Sequence, residues 1–387
     1  MARLGDIFTI SSGGTPDKRQ TKYFENGTIP WVKTGDLKGK YISHEIERIT
    51  QEGLNNSPAK LFPSDTVLVA MYGATIGACS ILDFEASTNQ ACAAFLPTSK
   101  VLPGYLYYFL QSKKDVFVLS GVGGAQPNIS ARYLKEFPFD IIPIENQRKI
   151  VSALDKVCAL ISLRKQQLTK LDELVKARFV EMFGDPVSNP RGWDTAPLVA
   201  VTAKIGSGAT PKGGKESYQV EGITLIRSMN VHDGCFVYKE LAHINKEQAE
   251  QLNSVVVFEK DVFINITGAS VARSCIVPEN VLPARVNQHV AIIRCKQTTL
   301  NPIFANQQFL NPAFKKKLLE LGEAGGATRQ AITKQQLEAL EVILPPIEVQ
   351  NQFAYFVEQT NELHLTIRRS LDKLEVLKKS LMQEYFG

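Results

Sequence analysis

The sequence predicts an α+β protein: two similar α+β globular domains separated by a pair of long antiparallel coiled-coil helices, forming a pseudo-two-fold internal repeat. Three observations predict it. Residues 146–184 hold no proline or glycine before their last position, and the apolar residues Ile150, Leu154, Val157, Ile161, Leu168, Leu171, Val175 and Met182 are spaced by 4, 3, 4, 7, 3, 4 and 7. That is a heptad seam, with Arg164 and Arg178 in the two remaining slots. The stretch then returns at the end of the chain, where Pro346-Ile347-Glu348-Val349-Gln350 echoes Pro143-Ile144-Glu145-Asn146-Gln147 and Glu384-Tyr385-Phe386-Gly387 echoes Glu181-Met182-Phe183-Gly184. Finally, the short β-type runs before the first helix recur before the second.

Each long helix has a stated beginning and end. Proline stands just before it, where a missing N–H costs least, and Gly184 with Asp185-Pro186 stops the first. At about 1.5 Å per residue such a helix spans roughly 57 Å, too long for one small domain. Phe353, Val357, Ile367, Leu371, Leu374 and Leu381 continue the seam in the second helix. Two stripes of this kind bury most simply against each other, and a globular domain between the helices makes the pair antiparallel. Arg164 and Arg178 are expected to pack their stems inside and carry their charged heads to the edge.

The preceding elements match more loosely. Gly13-Gly14-Thr15-Pro16 returns as Gly208-Ala209-Thr210-Pro211, and residues 29–36 return as 223–230. Asp65 to Ala70 matches Asp261 to Ile266, Gly73-Ala74-Thr75-Ile76-Gly77 matches Gly268-Ala269-Ser270-Val271-Ala272, and Asn89-Gln90 matches Asn287-Gln288. Helices are expected over 103–114 and 302–321. Short helices capped by Ser130 and Thr333 come next, then apolar strands over 137–142 and 341–344. Two copies make a duplication rather than a solenoid.

At 387 residues, two or three domains are expected. The hydrophobic share of 44% and charged share of 21% fit a globular chain, and a net charge of +5 permits an anionic partner without demanding one. No apolar run reaches the roughly 18 residues of a membrane span. Cys79, Cys92, Cys158, Cys235, Cys275 and Cys295 lie far apart with no C-x-x-C, and no secretory signal opens the chain, so they read as thiols of a reducing cytoplasm. Cys79 and Cys275 fall at matching places after the Gly-Ala loop and are expected to be small buried groups. His44, His232, His243, His289 and His364 form no catalytic or metal set. Asn301-Pro302-Ile303-Phe304 resembles an amino-methyltransferase box, but no Gly-rich cofactor loop accompanies it, and a capped helix start explains it. The loop at 208–215 lacks phosphate-loop spacing and has Glu216 where Ser or Thr belongs.

The duplicated G-x-T-P loop, the Gly-Ala-Thr-Ile-Gly turn, the Asn-Gln pair, the proline-led helix ending in Phe-Gly, and Gly192-Trp193-Asp194 before Leu198 together resemble the specificity subunit of type I restriction–modification systems. The first half departs from that pattern in lacking the Gly-Trp start, and Asn146-Gln147 and Val349-Gln350 replace the usual Glu-Gln. The resemblance implies target-recognition domains at 1–143 and 185–345, with spacer helices at 144–184 and 346–387. It implies a non-catalytic subunit that reads one half of a bipartite, non-palindromic double-stranded DNA site with each domain, while the paired helices set the spacer. Two methyltransferase subunits and the restriction motor-nuclease subunits are the implied partners, and S-adenosylmethionine, ATP and Mg are expected on those subunits only. The other readings are a fragment of a fused restriction–methylation enzyme, which S-adenosylmethionine binding by the isolated chain would reveal, and a coiled-coil adaptor with no nucleic-acid role.

DNA-contacting residues are expected in the polar loops: Thr15, Lys18, Arg19, Lys33, Thr34, Asp36, Tyr72, Thr75, Gln126 and Asn128 in the first half, and Thr210, Lys212, Lys215, Arg227, Ser228, Asn230, Thr267, Ser270, Arg329 and Gln330 in the second. Arg pairs well with guanine, and Asn or Gln with adenine. Gly73 and Gly268 would let backbone approach DNA closely. Asn89 and Asn287, inside strand-like runs, are expected instead to satisfy buried backbone groups.

Overall fold

The computed structural model describes residues 1–44, 46–121, 128–211, 213–323 and 330–387. Two compact units divide the chain, Met1–Lys165 with Arg369–Gly387, and Gln166–Arg368. The long helices, Ile144–Phe183 and Ile347–Phe386, each pass from one unit into the other. Each has 40 residues, about 60 Å at ~1.5 Å per residue.

The first unit carries an antiparallel sheet in the order Ile10–Ser12, Cys92–Phe95, Val67–Ala70, Cys79–Ile81. A second sheet has the order Arg48–Ile49, Ile29–Val32, Ala86–Thr88, Leu61–Phe62, with its central pair parallel. Val67–Ala70 is apolar along its whole length because both its faces are covered. Val67 and Val69 pack with Tyr105, Leu106 and Leu154 on the helical side, while Leu68 and Ala70 pack with Val32 and Phe62 of the other sheet.

The second unit repeats this strand for strand. One sheet runs Thr202–Ser207, Val290–Cys295, Val262–Asn265, Ser274–Ile276, and the other Ala242–Ile244, Ile223–Ile226, Ala284–Val286, Val256–Val257, again with a parallel central pair. Val262 and Ile264 face the helices, and Phe263 faces the second sheet. An extra hairpin, Val231–His232 with Cys235–Phe236, is added here.

The duplication fixes a register that the sequence match misplaces by one residue. Val67 lies opposite Ile81 and Val262 opposite Ile276, so Val67 corresponds to Val262. Asp65 and Lys260, both left-handed at φ 65°, are the equivalent turn residues before these strands. Cys79 therefore corresponds to Ser274 rather than Cys275, and neighbouring strand residues face opposite ways. Cys79 packs on the helical side and Cys275 between the sheets, although both are buried as expected.

The expected helices at 103–114 and 302–321 are each two helices. Pro103–Ser112 gives way to Lys114–Leu119, and Pro302–Leu310 to Pro312–Glu323. In the second case Pro312 has no N–H to continue the ladder, and the Asn311 side chain caps the new helix by accepting from Ala313 N–H at 3.0 Å. Asn301 caps the first of that pair through Ile303 N–H at 2.8 Å, with Pro302 at its first position. Ser130 and Thr333 accept from Tyr133 and Gln336 N–H as helix caps. The terminal strands are shorter than expected: Pro138–Phe139 pairs with Ala2–Arg3, and Glu341–Ile343 with Thr195–Pro197.

One buried glutamine near the start of each long helix explains the repeated proline-led motif. Gln147 accepts from Leu102 N–H at 2.8 Å and donates to the carbonyls of Lys100 at 3.0 Å and Ile142 at 2.8 Å. Gln350 accepts from Asn301 N–H at 2.9 Å and donates to Thr299 at 3.1 Å and Pro345 at 2.8 Å. Each therefore ties the loop before one helix to the loop before the next.

The seam residues of both helices are buried or half-buried. In the first unit Ile150, Leu154 and Cys158 share a core with Leu381, Met382 and Phe386, and Lys165 pairs with Glu375 at 3.0 Å. In the second unit Val175, Phe179 and Phe183 share a core with Phe353 and Val357, and the Arg178 guanidinium lies 5.9 Å from the Phe356 ring centre. The start of each helix thus lies beside the end of the other, so the pair is antiparallel. Asp155 adds a polar anchor, accepting from Lys40 at 2.5 Å and from the Tyr108 hydroxyl at 2.5 Å. Among the described residues, no helix is long and apolar enough to cross a membrane, and no His, Cys, Asp and Glu cluster could hold a metal ion.

Candidate nucleic-acid interface

In each unit, strand ends gather the polar loops. Gly14 N–H donates to Thr88 O at 2.9 Å, Asn89 N–H to Val32 O at 3.0 Å, and Met71 N–H to Ala91 O at 2.8 Å. In the second unit Gly208 N–H donates to Asn287 O at 3.1 Å, Asn287 N–H to Ile226 O at 3.0 Å, and Ile266 N–H to His289 O at 3.0 Å. A further bond, Ile129 N–H to Met71 O at 3.0 Å or Ile332 N–H to Ile266 O at 2.8 Å, brings in the loop before the capped short helix.

The loop glycines have two different physical roles. A Cβ on Gly13 would lie 1.9 Å from Thr88 O, and one on Gly208 would lie 1.7 Å from Val286 O. The G-x-T-P loop therefore needs glycine for close packing against the neighbouring strand. Gly73 and Gly268 instead have φ of 66° and 74°, with open space where a Cβ would point. Their turns need glycine for conformation and leave an uncovered backbone.

Asn89 and Asn287 accept from the N–H two residues on, Ala91 at 3.2 Å and His289 at 3.0 Å, and hold the backbone as expected. The glutamines beside them reach the G-x-T-P loops. Thr15 hydroxyl donates to Gln90 Oε1 at 2.5 Å, and Thr210 hydroxyl donates to Gln288 Oε1.

In the first unit Lys18 and Arg19 are exposed, with Arg19 held by Asp17 at 2.9 Å, which pushes the Asp17 carboxyl below its ordinary pKa. Lys33 reaches Glu47 at 2.5 Å, and the Asp36 carboxylate accepts from Lys33 N–H at 2.8 Å, closing a turn that includes Thr34. Tyr72, 44% exposed, bridges to exposed Asn128 through backbone, and Thr75 donates to Tyr72 O at 3.1 Å. Gln126 lies outside the described residues.

In the second unit Thr210 is exposed, and Ser228, Thr267, Ser270 and Gln330 share one surface recess. Arg227 is half-buried, donates to Glu240 O, and lies 5.5 Å from the Tyr218 ring centre. Asn230 is fully buried. Its amide donates to Val237 O at 2.9 Å and accepts from Arg227 N–H at 3.1 Å, so it holds the turn from inside. Lys212, the side chain of Lys215, and Arg329 lie outside the described residues.

Sequence reasoning passed over His289, which lines the recess and lies 2.5 Å from Thr267 Oγ and 3.2 Å from Gln288 Nε2. The signal for it was its place directly after Asn287-Gln288.

A family model described as the type I restriction modification DNA specificity domain matches residues 1–173 and 190–376. The chain belongs to that family. The chain is 26% identical to the Escherichia coli type I restriction enzyme EcoR124I/EcoR124II specificity subunit over 181 residues, 46% of this chain and 45% of that one. It is 24% identical to a putative type I restriction enzyme MjaX specificity subunit of Methanocaldococcus jannaschii over 302 residues, 73% of this chain and 67% of that one. The crystal structure of the type I restriction-modification system S subunit from M. genitalium has the same fold, with a TM-score of 0.62 at 13% identity, covering 100% of this chain and 95% of that one. The specificity-domain family thus accounts for both copies of the repeat.

Proposed function

We propose that the chain is the DNA-specificity subunit of a type I restriction–modification complex and carries no catalysis of its own. Residues 1–143 read one half of a bipartite double-stranded DNA site and residues 185–345 read the other. The helix pair sets the spacing and, with the domains, docks two methyltransferase subunits, which the restriction motor-nuclease subunits join in the cytoplasm. The carrying observation is the shared backbone framework beneath unlike loop side chains: the same strand ends gather the same loops, but Tyr72 stands where the second copy has Thr267, and Ala91 where it has His289.

Exposed Lys18 and Arg19, with Thr15, Lys33, Thr34, Asp36, Tyr72, Thr75, Gln126 and Asn128, form the proposed contact set of the first domain. Thr210, Lys212, Lys215, Arg227, Ser228, Thr267, Ser270, Arg329 and Gln330 form that of the second, while Asn230 supports it from beneath. The open Gly73 and Gly268 turns suit close approach of a phosphate backbone. Unlike loops on two like frames read unlike half-sites. Mapping of methylated bases in host DNA is expected to return a split, non-palindromic motif, and a continuous or palindromic motif would overturn this reading.

A further inference from the structure

The second unit has a hydrogen-bonded side-chain series of which the first, among the described residues, carries only the opening contact. Thr210 hydroxyl donates to Gln288 Oε1. The Gln288 amide nitrogen therefore faces His289 Nε2, 3.2 Å away, and His289 Nδ1 faces Thr267 Oγ at 2.5 Å. In the first unit Thr15 and Gln90 make the opening contact, but the next residue is Ala91 and the series stops.

The donors fix its direction. Since Gln288 Oε1 already accepts from Thr210, its amide donates to His289 Nε2, which must then be the unprotonated ring nitrogen. The neutral imidazole accordingly carries its proton on Nδ1 and donates it to Thr267 Oγ. The hydroxyl proton of Thr267 is thereby turned to the recess lined by Ser228, Gly268, Ser270, His289 and Gln330.

We propose that His289 is a specificity-determining residue of the second recognition domain. It orients Thr267 so that the recess offers a hydroxyl donor to a hydrogen-bond acceptor on a base edge of the second half-site. This rests on the DNA-reading role proposed above. The first domain, with Ala91 and Tyr72 at these two places, lacks the device and must read its half-site otherwise.

The test uses the chain co-assembled with its methyltransferase subunits and a pool of duplex DNA randomised across both half-sites. His289→Ala, which installs the first domain's residue, is expected to relax preference about 10-fold at one base-pair position of the second half-site. Thr267→Val should relax the same position, and the double variant should do no more than either alone. His289→Asn, which keeps a donor near the Nδ1 position, should restore the preference if it folds to the same melting temperature. The first half-site and the salt dependence of binding should stay unchanged in all four variants. A wild-type complex that shows split specificity, together with a folded His289→Ala complex of unaltered preference, overturns the proposal while leaving the DNA-reading role intact. Relaxation in the first half-site also overturns it. A wild-type complex with no sequence preference overturns the underlying role itself.

Discussion

Gln147 and Gln350 are small parts of the chain with large structural consequences. Each is fully buried and satisfies three backbone groups of loops that would otherwise face one another unpaired. Truncating either to alanine leaves a buried N–H and two carbonyls without partners, each costing about 1–3 kcal/mol. With partial rescue by water, Gln147→Ala and Gln350→Ala are each expected to lose about 2–4 kcal/mol in denaturant titration. A loss below about 1 kcal/mol would show that the loops find other partners. The thiols allow a second measurement. Burial pushes Cys79, Cys92, Cys275 and Cys295 each up to about 12. Because the unfolded chain then loses these protons first, the thiols contribute full stability below about pH 9, and it is lost as pH rises towards 12. Native alkylation at about pH 8 should spare these four and modify exposed Cys235, and unfolding should open all of them. Residue roles of this kind were only partly legible in the sequence. The glutamines announced themselves by recurring, and Asn89 and Asn287 by standing in strand-like runs. His289 has no repeat, since Ala91 stands at its place in the first copy, and repetition alone marks only what the two copies share.

Strands and helices were legible where one period dominated. The long helices show their heptad spacing over 40 residues, and their ends carry proline and glycine. The β-strands are short, three or four residues in most cases, and the central ones such as Val67–Ala70, Cys79–Ile81 and Cys92–Phe95 are covered on both faces, so no alternation marks which residue belongs to which side. That is why the match between Val67–Ala70 and the second copy slipped by one residue and placed Cys79 opposite Cys275. The second copy also begins its equivalent strand with a contact no pattern announced. Asp261, fully buried, takes both oxygens to the Arg294 guanidinium at 2.8 Å, and Phe258 stacks 4.0 Å from it. The first copy has Thr66 and Leu96 in these places. Asp261→Ala would strand a half-buried guanidinium and is expected to cost about 3 kcal/mol or more. The paired change to Thr66 and Leu96 chemistry, Asp261→Thr with Arg294→Leu, should recover a large part of it. Thermal unfolding of the single and double variants distinguishes a needed ion pair from a replaceable one.

Within each unit the two long helices run side by side in opposite directions, so their register is shared there. Lengthening one helix alone would shift every later seam residue against its neighbour, whereas adding about seven residues, one heptad, to both preserves the pattern. One heptad lengthens a helix by about 10.5 Å, close to the rise of about three base pairs of B-DNA at ~3.4 Å each. A heptad falls only about 20° short of two full helical turns, and supercoiling absorbs that remainder. The insertion therefore changes length far more than it changes rotation. If the helices set the spacer, the matched insertion should leave both half-sites unchanged and lengthen the gap by about three base pairs in the mapped methylation motif. An insertion into the first helix only should instead lower stability and abolish modification, because charged neighbours such as Lys165 and Glu375 would lose their register. An unchanged spacer in the matched, folded variant would show that something other than helix length measures the gap between half-sites.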